Sequence, residues 1–146
     1  MENNLKLEHA QIALRNFAGR EGKFNAEGDR NFALILPEDL AEQLTKDGWN
    51  VKRFKPRDPD ELGSPFVRVA VKYGRIPPKV VLVSGDKLTP LDESNIDILD
   101  TADIVNVDLI VRPRVWDQET GRVKAYLKTM YVTIDDDFGG KYSDFA

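Results

Sequence analysis

The sequence runs Ile104-Val-Asn-Val-Asp-Leu-Ile-Val-Arg-Pro-Arg-Val-Trp116, turns at Asp117-Gln-Glu-Thr-Gly121, and continues as Arg122-Val-Lys-Ala-Tyr-Leu-Lys-Thr-Met-Tyr-Val-Thr-Ile134. Apolar and polar residues alternate along both segments, which is the pattern of a β-strand with one buried face. A short connection that contains Gly is typical of a hairpin. We therefore predict two long antiparallel strands, and this hairpin sets the fold class expected for the rest of the chain.

The alternation assigns the hairpin residues to two faces. The inner face is predicted to hold Val105, Val107, Leu109, Val111, Val115, Val123, Ala125 and Leu127. The outer face is then predicted to hold Arg112, Arg114, Trp116, Arg122, Lys124, Tyr126 and Lys128. If the strands pair symmetrically about Glu119, the opposite pairs are Trp116 with Arg122, Arg114 with Lys124, and Arg112 with Tyr126.

The outer face is unusual because it combines five cations with two aromatic rings. Like charges directly opposite each other on a sheet are unfavourable by about 0.2–1 kcal/mol per pair. Such a ribbon therefore indicates an anionic partner, and rings beside cations are typical of single-stranded nucleic-acid binding, in which bases stack and cations follow the phosphates. The alternative is that Trp116 and Tyr126 only shield the sheet while the cations pair with acids such as Asp117 or Glu119.

Shorter segments of similar character precede the hairpin. Ala10, Ile12 and Leu14 are predicted to share the inner face of the first strand, and residues 85–100 are irregular or contain a short helix. Further strands are predicted at 31–36, 49–56, 66–73 and 79–83, the first strand at 6–16, and a helix from Pro37 to Gly48. Many short strands with one helix favour a mainly β fold. We predict an OB-fold-like barrel of five to seven antiparallel strands over residues 1–134.

Three other segments have the same basic and aromatic composition. The glycine-rich loop 17–30 offers Arg20, Lys23, Phe24 and Arg30, although Glu21, Glu27 and Asp29 make a flexible, acid-balanced loop an equal alternative. The run Trp49–Arg57 offers Lys52 and Phe54, but its orientation stays open because Arg53 and Lys55 then point toward the core. Arg68 and Lys72 share the outward face of the next strand and extend the cationic surface.

Composition limits the class of protein. The 146 residues fit one domain, and the net charge of −4 is concentrated in acidic stretches between Asp86 and Asp108 and at Asp135-Asp136-Asp137. The chain has no Cys, and its start shows neither a secretory signal nor an apolar span, so we expect a cytoplasmic protein without a disulfide framework.

An enzyme is not expected. His9 is the sole histidine, and the sequence has no glycine-rich phosphate loop, so we predict no cofactor, no metal and no catalytic residue. The one catalytic alternative is a Mg²⁺-dependent nuclease that uses Asp100, Asp103 and Asp135 to Asp137. A protein-interaction or virion structural module is a second rival. RNA in place of DNA is a third, since stacking does not read the 2′-hydroxyl.

The last residues form a segment of different composition. Residues 135–146 are predicted to be a flexible acidic tail, because acids and a Gly pair cannot build a core. Its residues Asp135, Asp136, Asp137, Phe138, Asp144 and Phe145 are candidates for binding a protein partner or for competing with a nucleic acid, and an ordinary frayed terminus is the alternative.

The loop Asn16-Phe-Ala-Gly-Arg-Glu-Gly-Lys-Phe-Asn-Ala-Glu-Gly-Asp-Arg-Asn-Phe32 and the hairpin segments Arg112–Trp116 and Arg122–Tyr131 resemble OB-fold single-stranded DNA-binding proteins of tailed bacteriophages. The resemblance implies sequence-nonspecific binding of single-stranded DNA. It also implies protection of exposed strands in replication or recombination, and recruitment of partners through the acidic tail. The chain departs from such tails at its last position, since Ala146 follows Phe145. Oligomeric state is not indicated by the sequence.

Overall fold

The protein, seen in a computed structural model that describes residues 4–135, contains nine β-strands, one α-helix and one short 3-10 helix in that range. The strands are β1 Leu5–Leu7, β2 Gln11–Asn16, β3 Arg30–Ile35, β4 Lys52–Arg53, β5 Pro65–Val71, β6 Lys79–Ser84, β7 Lys87–Leu91, β8 Ile104–Asp117 and β9 Arg122–Ile134. The helix α1 spans Glu38–Lys46, and the 3-10 helix spans Ile96–Asp100.

The predicted hairpin forms and β9 becomes the strand at which the sheet branches. β8 pairs antiparallel with one edge of β9 along its whole length. The other edge of β9 pairs in parallel with β5 at Ala125–Tyr126 and with β6 at Thr129–Thr133. The sheet order is β1-β8-β9-β5-β3-β2, with β4 on β5 and β7 on β6. Because the N–H of Ala10 also donates to the carbonyl of Val107 at 2.8 Å, the chain entering β2 meets β8 and the sheet curls toward a barrel.

The prediction of a mainly β, OB-fold-like protein with one short helix is confirmed. Two details differ. The described chain has nine strands rather than five to seven, and the pairings of β9 with β5 and β6 are parallel rather than antiparallel. The strand count rises because the predicted strand 6–16 is divided into β1 and β2 and because β7 was not predicted. The parallel pairings arise because the 13-residue β9 is long enough to pair with two strands on one edge.

The core lies on the inner face of this curled sheet. Phe17 and Phe32 stack with ring centroids 5.3 Å apart, and both are fully buried. Helix α1 contributes Leu44 to the core, and the 3-10 helix contributes Ile96 and Leu99. The sheet contributes the inward residues Val67, Val69, Val71, Val107, Leu109, Val111, Val123, Ala125 and Leu127, which confirms the predicted inner face at these hairpin positions.

Two inner-face predictions are wrong because β-bulges change the alternation. Val105 is 65% exposed, since the register shift between Ile104 and Asn106 turns it outward. Leu14 is also exposed, with a φ of 48° inside the shift between Ala13 and Asn16. The predicted strand 6–16 is likewise divided into β1 and β2.

The middle of the chain contains one overestimated strand and one missed strand. The predicted strand 49–56 shortens to Lys52–Arg53 at the sheet edge. The acidic stretch after Gly85 contains β7, which forms a hairpin with β6 in which Ser84 pairs with Lys87. The predicted helix is confirmed, with Pro37 as its N-cap residue and Gly48, at a φ of 94°, just beyond its end.

Candidate nucleic-acid interface

The outer face of the hairpin has the pairing that the alternation predicts along most of its length. Arg112 lies opposite Tyr126, and Arg114 lies opposite Lys124. The third predicted pair is wrong, because a register shift after Val115 places Asp117, rather than Trp116, opposite Arg122. The extra residue at this bulge is Trp116, whose side chain is 59% exposed.

The same face continues across β9 onto β5. Ala70 pairs with Tyr126, so residues two positions from Ala70 point to the side of Tyr126 and Lys124. These residues are Arg68 and Lys72, and both are exposed. Three neighbouring strands therefore present cations toward the same water-facing side.

A groove of about 880 Å³ runs along this face between the first loop, β5 and the tip of the hairpin. Two carboxylates, Asp29 and Glu93, line it. Six cations line it as well, namely Arg30, Lys52, Arg68, Lys72, Arg122 and Lys124. The aromatic side chains in the lining are Phe24, Trp49, Tyr73 and Trp116. The structure thus brings together residues predicted from four separate segments of the sequence.

The first loop, residues 17–29, is held in a defined shape. The Asp100 carboxylate accepts hydrogen bonds from the N–H groups of Phe17 and Ala18 at 2.6 and 3.0 Å. The N–H of Gly28 donates to the carbonyl of Gly19 at 2.7 Å and closes the base of the loop. These hydrogen bonds support the loop at its base, and the alternative of a flexible, acid-balanced loop stays a prediction.

Phe24 at the tip of this loop is the most exposed large apolar side chain of the described residues, at 94%. The Nζ atom of Lys23 lies 5.5 Å from the centre of its ring. Trp116 is also exposed, whereas Trp49 and Tyr73 in the same lining are buried or half-buried. Phe24 and Trp116 are therefore the two rings of the groove that are most accessible for stacking on bases.

Two of the predicted contact residues are already engaged within the protein. Phe54 stacks on Phe66 with ring centroids 4.2 Å apart, so one face of its ring is covered. Arg30 donates a hydrogen bond to the carbonyl of Phe17, lies over the Tyr73 ring at 5.6 Å, and is 4.0 Å from Glu93. Arg30 therefore anchors the loop as well as lining the groove.

The open orientation of the 49–57 segment is resolved by its edge position. Trp49 is buried, while Arg53 forms a two-point ion pair with Glu38 at 2.7 and 2.8 Å. This pair lowers the pKa of Glu38, chiefly through the hydrogen bonds from Arg53. Lys52 is exposed and lines the groove.

The remaining predicted residues lie outside the groove lining. Tyr126 is half-buried beside Lys124, whose Nζ atom is 5.5 Å from the ring centre. Lys128 is exposed at a bulge in β9. The others in this group are Arg20, Lys23, Arg112 and Arg114. The tail candidates Asp136, Asp137, Phe138, Asp144 and Phe145 lie outside the described residues, and Asp135 is the last residue described.

The ion pairs of the described residues show whether acids neutralise the hairpin cations, as the alternative requires. Across residues 4–135 the ion pairs are Arg30–Glu93, Lys46–Glu42 and Arg53–Glu38, and none involves the outer face of the hairpin. The hydrogen bond with the Thr120 side chain is the main cause that lowers the pKa of Asp117, and the charge of Arg122 adds to it. Most of the cationic surface is therefore left available to a partner.

Sequence reasoning missed Tyr73 and two asparagines of the groove, Asn25 and Asn31. The Tyr73 hydroxyl is buried and has no hydrogen-bond partner among the described residues. Burial raises its pKa to about 12, against the opposing charge of Arg30. The alternation of β5 indicated that Tyr73 follows the inward valines, but nothing local to the sequence marks the asparagines.

The nuclease alternative receives no support from the described carboxylates. Asp100 is used to hold the first loop, and residues 4–135 contain no group of three His, Cys, Asp or Glu side chains arranged to hold a metal ion. In the same range no helix combines the length and apolar composition needed to cross a bilayer.

A curled, mainly β sheet that carries a cationic groove with exposed rings defines a binding protein for single-stranded nucleic acid. The whole sequence, residues 1–146, matches the family described as "Putative phage ssDNA-binding domain", and the chain belongs to this family. The expected resemblance to phage single-stranded DNA-binding proteins is confirmed, and with it the expected function of single-stranded DNA binding. The family is one of DNA-binding proteins.

Solved structures share the fold. The single-stranded DNA-binding protein from bacteriophage Enc34 in complex with ssDNA is 16% identical, with a TM-score of 0.58 over 91% of this chain and 87% of that chain. A C-terminal truncation of the Enc34 protein is 15% identical, with a TM-score of 0.55 and the same coverage of both chains. The comparison with curated proteins gives no match.

Proposed function

We propose that the protein binds single-stranded DNA without sequence preference along the groove between the first loop, β5 and the hairpin tip. The observation that carries this proposal is the local charge. The groove holds six cations and two carboxylates, although the whole chain has a net charge of −4. Such a concentration of positive charge attracts a polyanion despite the overall sign, because screening confines charges to about 8–10 Å.

The groove offers two kinds of contact with a single strand. Lys72, Arg122 and Lys124 can follow the phosphates, since their charged groups are exposed along one side of the sheet. Phe24 and Trp116 can stack on bases at opposite parts of the lining. Stacking contributes about 1–3 kcal/mol per base and accepts any base, which accounts for binding without sequence preference.

We propose further that the protein acts by binding alone and protects exposed strands during phage replication or recombination, in the cytoplasm of the host cell. A cleavage assay with Mg²⁺ on single-stranded and branched DNA tests the non-catalytic part. Substrate that stays intact while it is bound is the expected result, and turnover contradicts it.

The binding itself is tested by fluorescence anisotropy with unstructured single-stranded DNA, duplex DNA and single-stranded RNA at two salt concentrations. Single-stranded DNA is expected to bind more tightly than duplex, and its affinity is expected to fall as salt rises because phosphate contacts release counterions. Equal affinity for duplex, or binding that is indifferent to salt, contradicts the proposal. Tighter binding of single-stranded RNA than of single-stranded DNA indicates that the groove is an RNA-binding site.

Two lysine variants locate the site. Lys72→Gln removes a groove cation and is expected to lower the salt slope by about 0.7, the value for one phosphate contact with a single strand. Lys87→Gln removes an exposed lysine from the start of β7, outside the groove lining, and serves as the matched control. If both variants change the slope equally, the groove is not the binding site.

The role of residues 135–146 stays a proposal from the sequence. We propose that this acidic segment recruits replication or recombination proteins. A pull-down that compares the full chain with a chain ending at Asp135 tests it, and equal capture of such proteins by both contradicts it.

A further inference from the structure

We infer that Arg68 is a positioning residue, which holds the first loop and its aromatic tip over the groove through its hydrogen bond to Asn31, which in turn donates a hydrogen bond to Asn25. The inference deepens the proposed function and rests on it, because the groove cations are otherwise expected to contact phosphate directly. It assigns Arg68 a different role from Lys72, the exposed groove cation directly after the end of β5.

The contacts form a continuous chain of hydrogen bonds from β5 to the loop. An Nη1–H group of Arg68 donates to the Oδ1 atom of Asn31 at 2.6 Å. The Nδ2 group of Asn31 then donates to the Oδ1 atom of Asn25 at 2.8 Å and to the carbonyl of Asp29 at 3.0 Å. Each link is within the distance of a strong hydrogen bond.

Asn31 is the side chain on which this chain of contacts depends. It is 6% exposed and is the one buried polar or charged residue among the described residues. Burying an amide is unfavourable unless its hydrogen-bonding groups are satisfied. Arg68 supplies the donor for Oδ1, so removing Arg68 leaves a buried acceptor without its partner and weakens the support of the loop.

Asn25 transmits this support to the tip of the loop. Its Nδ2 group donates to the carbonyls of Arg20, Ala26 and Asp29 at 2.8, 3.1 and 3.1 Å. Its backbone exchanges hydrogen bonds with Gly22 at 2.8 and 3.2 Å, which closes the turn that contains Lys23 and Phe24. Asn25 therefore supports the backbone turn that carries Phe24, and Asn31 on the sheet supports Asn25.

Lys72, the first residue after β5, provides the comparison. It lies on the same outward face as Arg68, is exposed, and lines the same groove. No hydrogen bond or ion pair joins its side chain to another of residues 4–135 in the way that Arg68 is joined to Asn31. Lys72 is thus suited to a phosphate, whereas Arg68 has a structural partner.

The first experiment measures how accessible the first loop is to trypsin in the absence of DNA. Trypsin cleavage after Arg20 and Lys23 is measured in folded Arg68→Gln, Asn31→Ala and Lys72→Gln proteins, with circular dichroism as the check on folding. Cleavage several-fold faster than in the parent is expected for the first two variants, and the parent rate is expected for Lys72→Gln. Parent-like cleavage in Arg68→Gln overturns the inference, and this result does not depend on whether the protein binds DNA.

The second experiment measures the affinity of the variants for single-stranded DNA and the salt dependence of that affinity. Arg68→Gln is expected to weaken single-stranded DNA binding about fivefold, the lower end of the contribution of one stacked base, with an unchanged salt slope. Combined with Phe24→Ala, it is expected to add little, because both changes remove the same stacking contact. Full additivity together with a lower slope makes Arg68 a phosphate ligand and overturns the inference. Failure of the proposed function is distinguishable, since Lys72→Gln and Phe24→Ala then also leave binding unchanged.

Discussion

Arg114 and Lys124 lie directly opposite each other on β8 and β9, and both side chains are exposed on the outer face. Side chains at opposite positions of an antiparallel pair are neighbours, so these two positive charges repel in the free protein. A phosphate between or beside them relieves this repulsion. The pair therefore favours the bound state at a cost to the stability of the free protein.

This relationship predicts opposite effects of one substitution on stability and on binding. Lys124→Glu is expected to raise the free energy of unfolding by about 0.2–1 kcal/mol, because it turns a repulsive cross-strand pair into an attractive one. It is expected to weaken single-stranded DNA binding, since a groove cation becomes an anion. Urea denaturation and anisotropy measure the two effects. Lys6→Glu is the matched control, because Lys6 is an exposed strand residue opposite Ile110 and outside the groove lining.

The exposed rings are predicted to contribute to binding and little to stability. Phe24→Ala and Trp116→Ala are each expected to cost about 1–3 kcal/mol of binding free energy while the salt slope stays unchanged. Leu62→Ala, which removes another exposed apolar side chain outside the groove lining, is expected to leave binding unaltered. Anisotropy at several salt concentrations separates these results. A lower slope for Trp116→Ala argues that the substitution disturbs the neighbouring cations.

The sequence predicted the parts of this interface that depend on regular alternation. Arg112 opposite Tyr126 and Arg114 opposite Lys124 follow from the period of two and the position of the turn. The alternation fails at Val105, and the predicted pairing of Trp116 with Arg122 fails, because each lies at a register shift where one extra residue changes the pairing. A bulge is fixed by pairing with another strand, so its position is not encoded in the local pattern.

The groove likewise depends partly on features visible in the local sequence and partly on contacts between distant segments. Phe24, Lys52 and Lys72 were recognisable as exposed cations or rings, but their convergence depends on how loop 17–29 folds back over β5. Gly85 before Asp86 was a turn signal that could have revealed the hairpin of β6 and β7. The support of the loop by Asn31 depends on Arg68, 37 positions away in the chain, and no local pattern indicates it.

Gly48 is predicted to be essential for joining helix α1 to the hairpin tip. It has a φ of 94°, and a Cβ atom at this position would overlap the carbonyl oxygen of Gly121. Its own carbonyl accepts a hydrogen bond from the N–H of Val123 at 2.9 Å. Gly48→Ala is expected to destabilise the protein by more than about 1 kcal/mol, because the new side chain meets both strain and a backbone atom.

Thermal or urea denaturation measures this loss of stability. Gly74→Ala is the matched control, since a Cβ atom there has nothing within 4 Å and the backbone is not in the left-handed region. It is expected to change stability little or to raise it by limiting the unfolded chain. Equal effects of the two substitutions contradict the proposed contact between Gly48 and Gly121.

The raised pKa of Tyr73 predicts how the stability of the protein changes at alkaline pH. Its pKa is raised from 10 to about 12 in the folded protein, chiefly because burial disfavours the phenolate, and its hydroxyl has no hydrogen-bond partner among residues 4–135. The folded state therefore holds this proton between pH 10 and 12 while the unfolded state releases it. The unfolded state then binds fewer protons than the folded state, so the free energy of unfolding falls as pH rises through this window.

Tyr73→Phe removes both the titration and the buried hydroxyl. At neutral pH it is expected to leave stability unchanged or to raise it, because an unsatisfied polar group is lost and the ring that contacts Arg30 is kept. Between pH 10 and 12 its free energy of unfolding is expected to fall less steeply than that of the parent, as measured by urea denaturation across this range. A loss of stability at neutral pH shows instead that the hydroxyl has a hydrogen-bond partner. If the free energies of unfolding of the variant and the parent depend on alkaline pH in the same way, Tyr73 is not the group whose raised pKa causes this dependence.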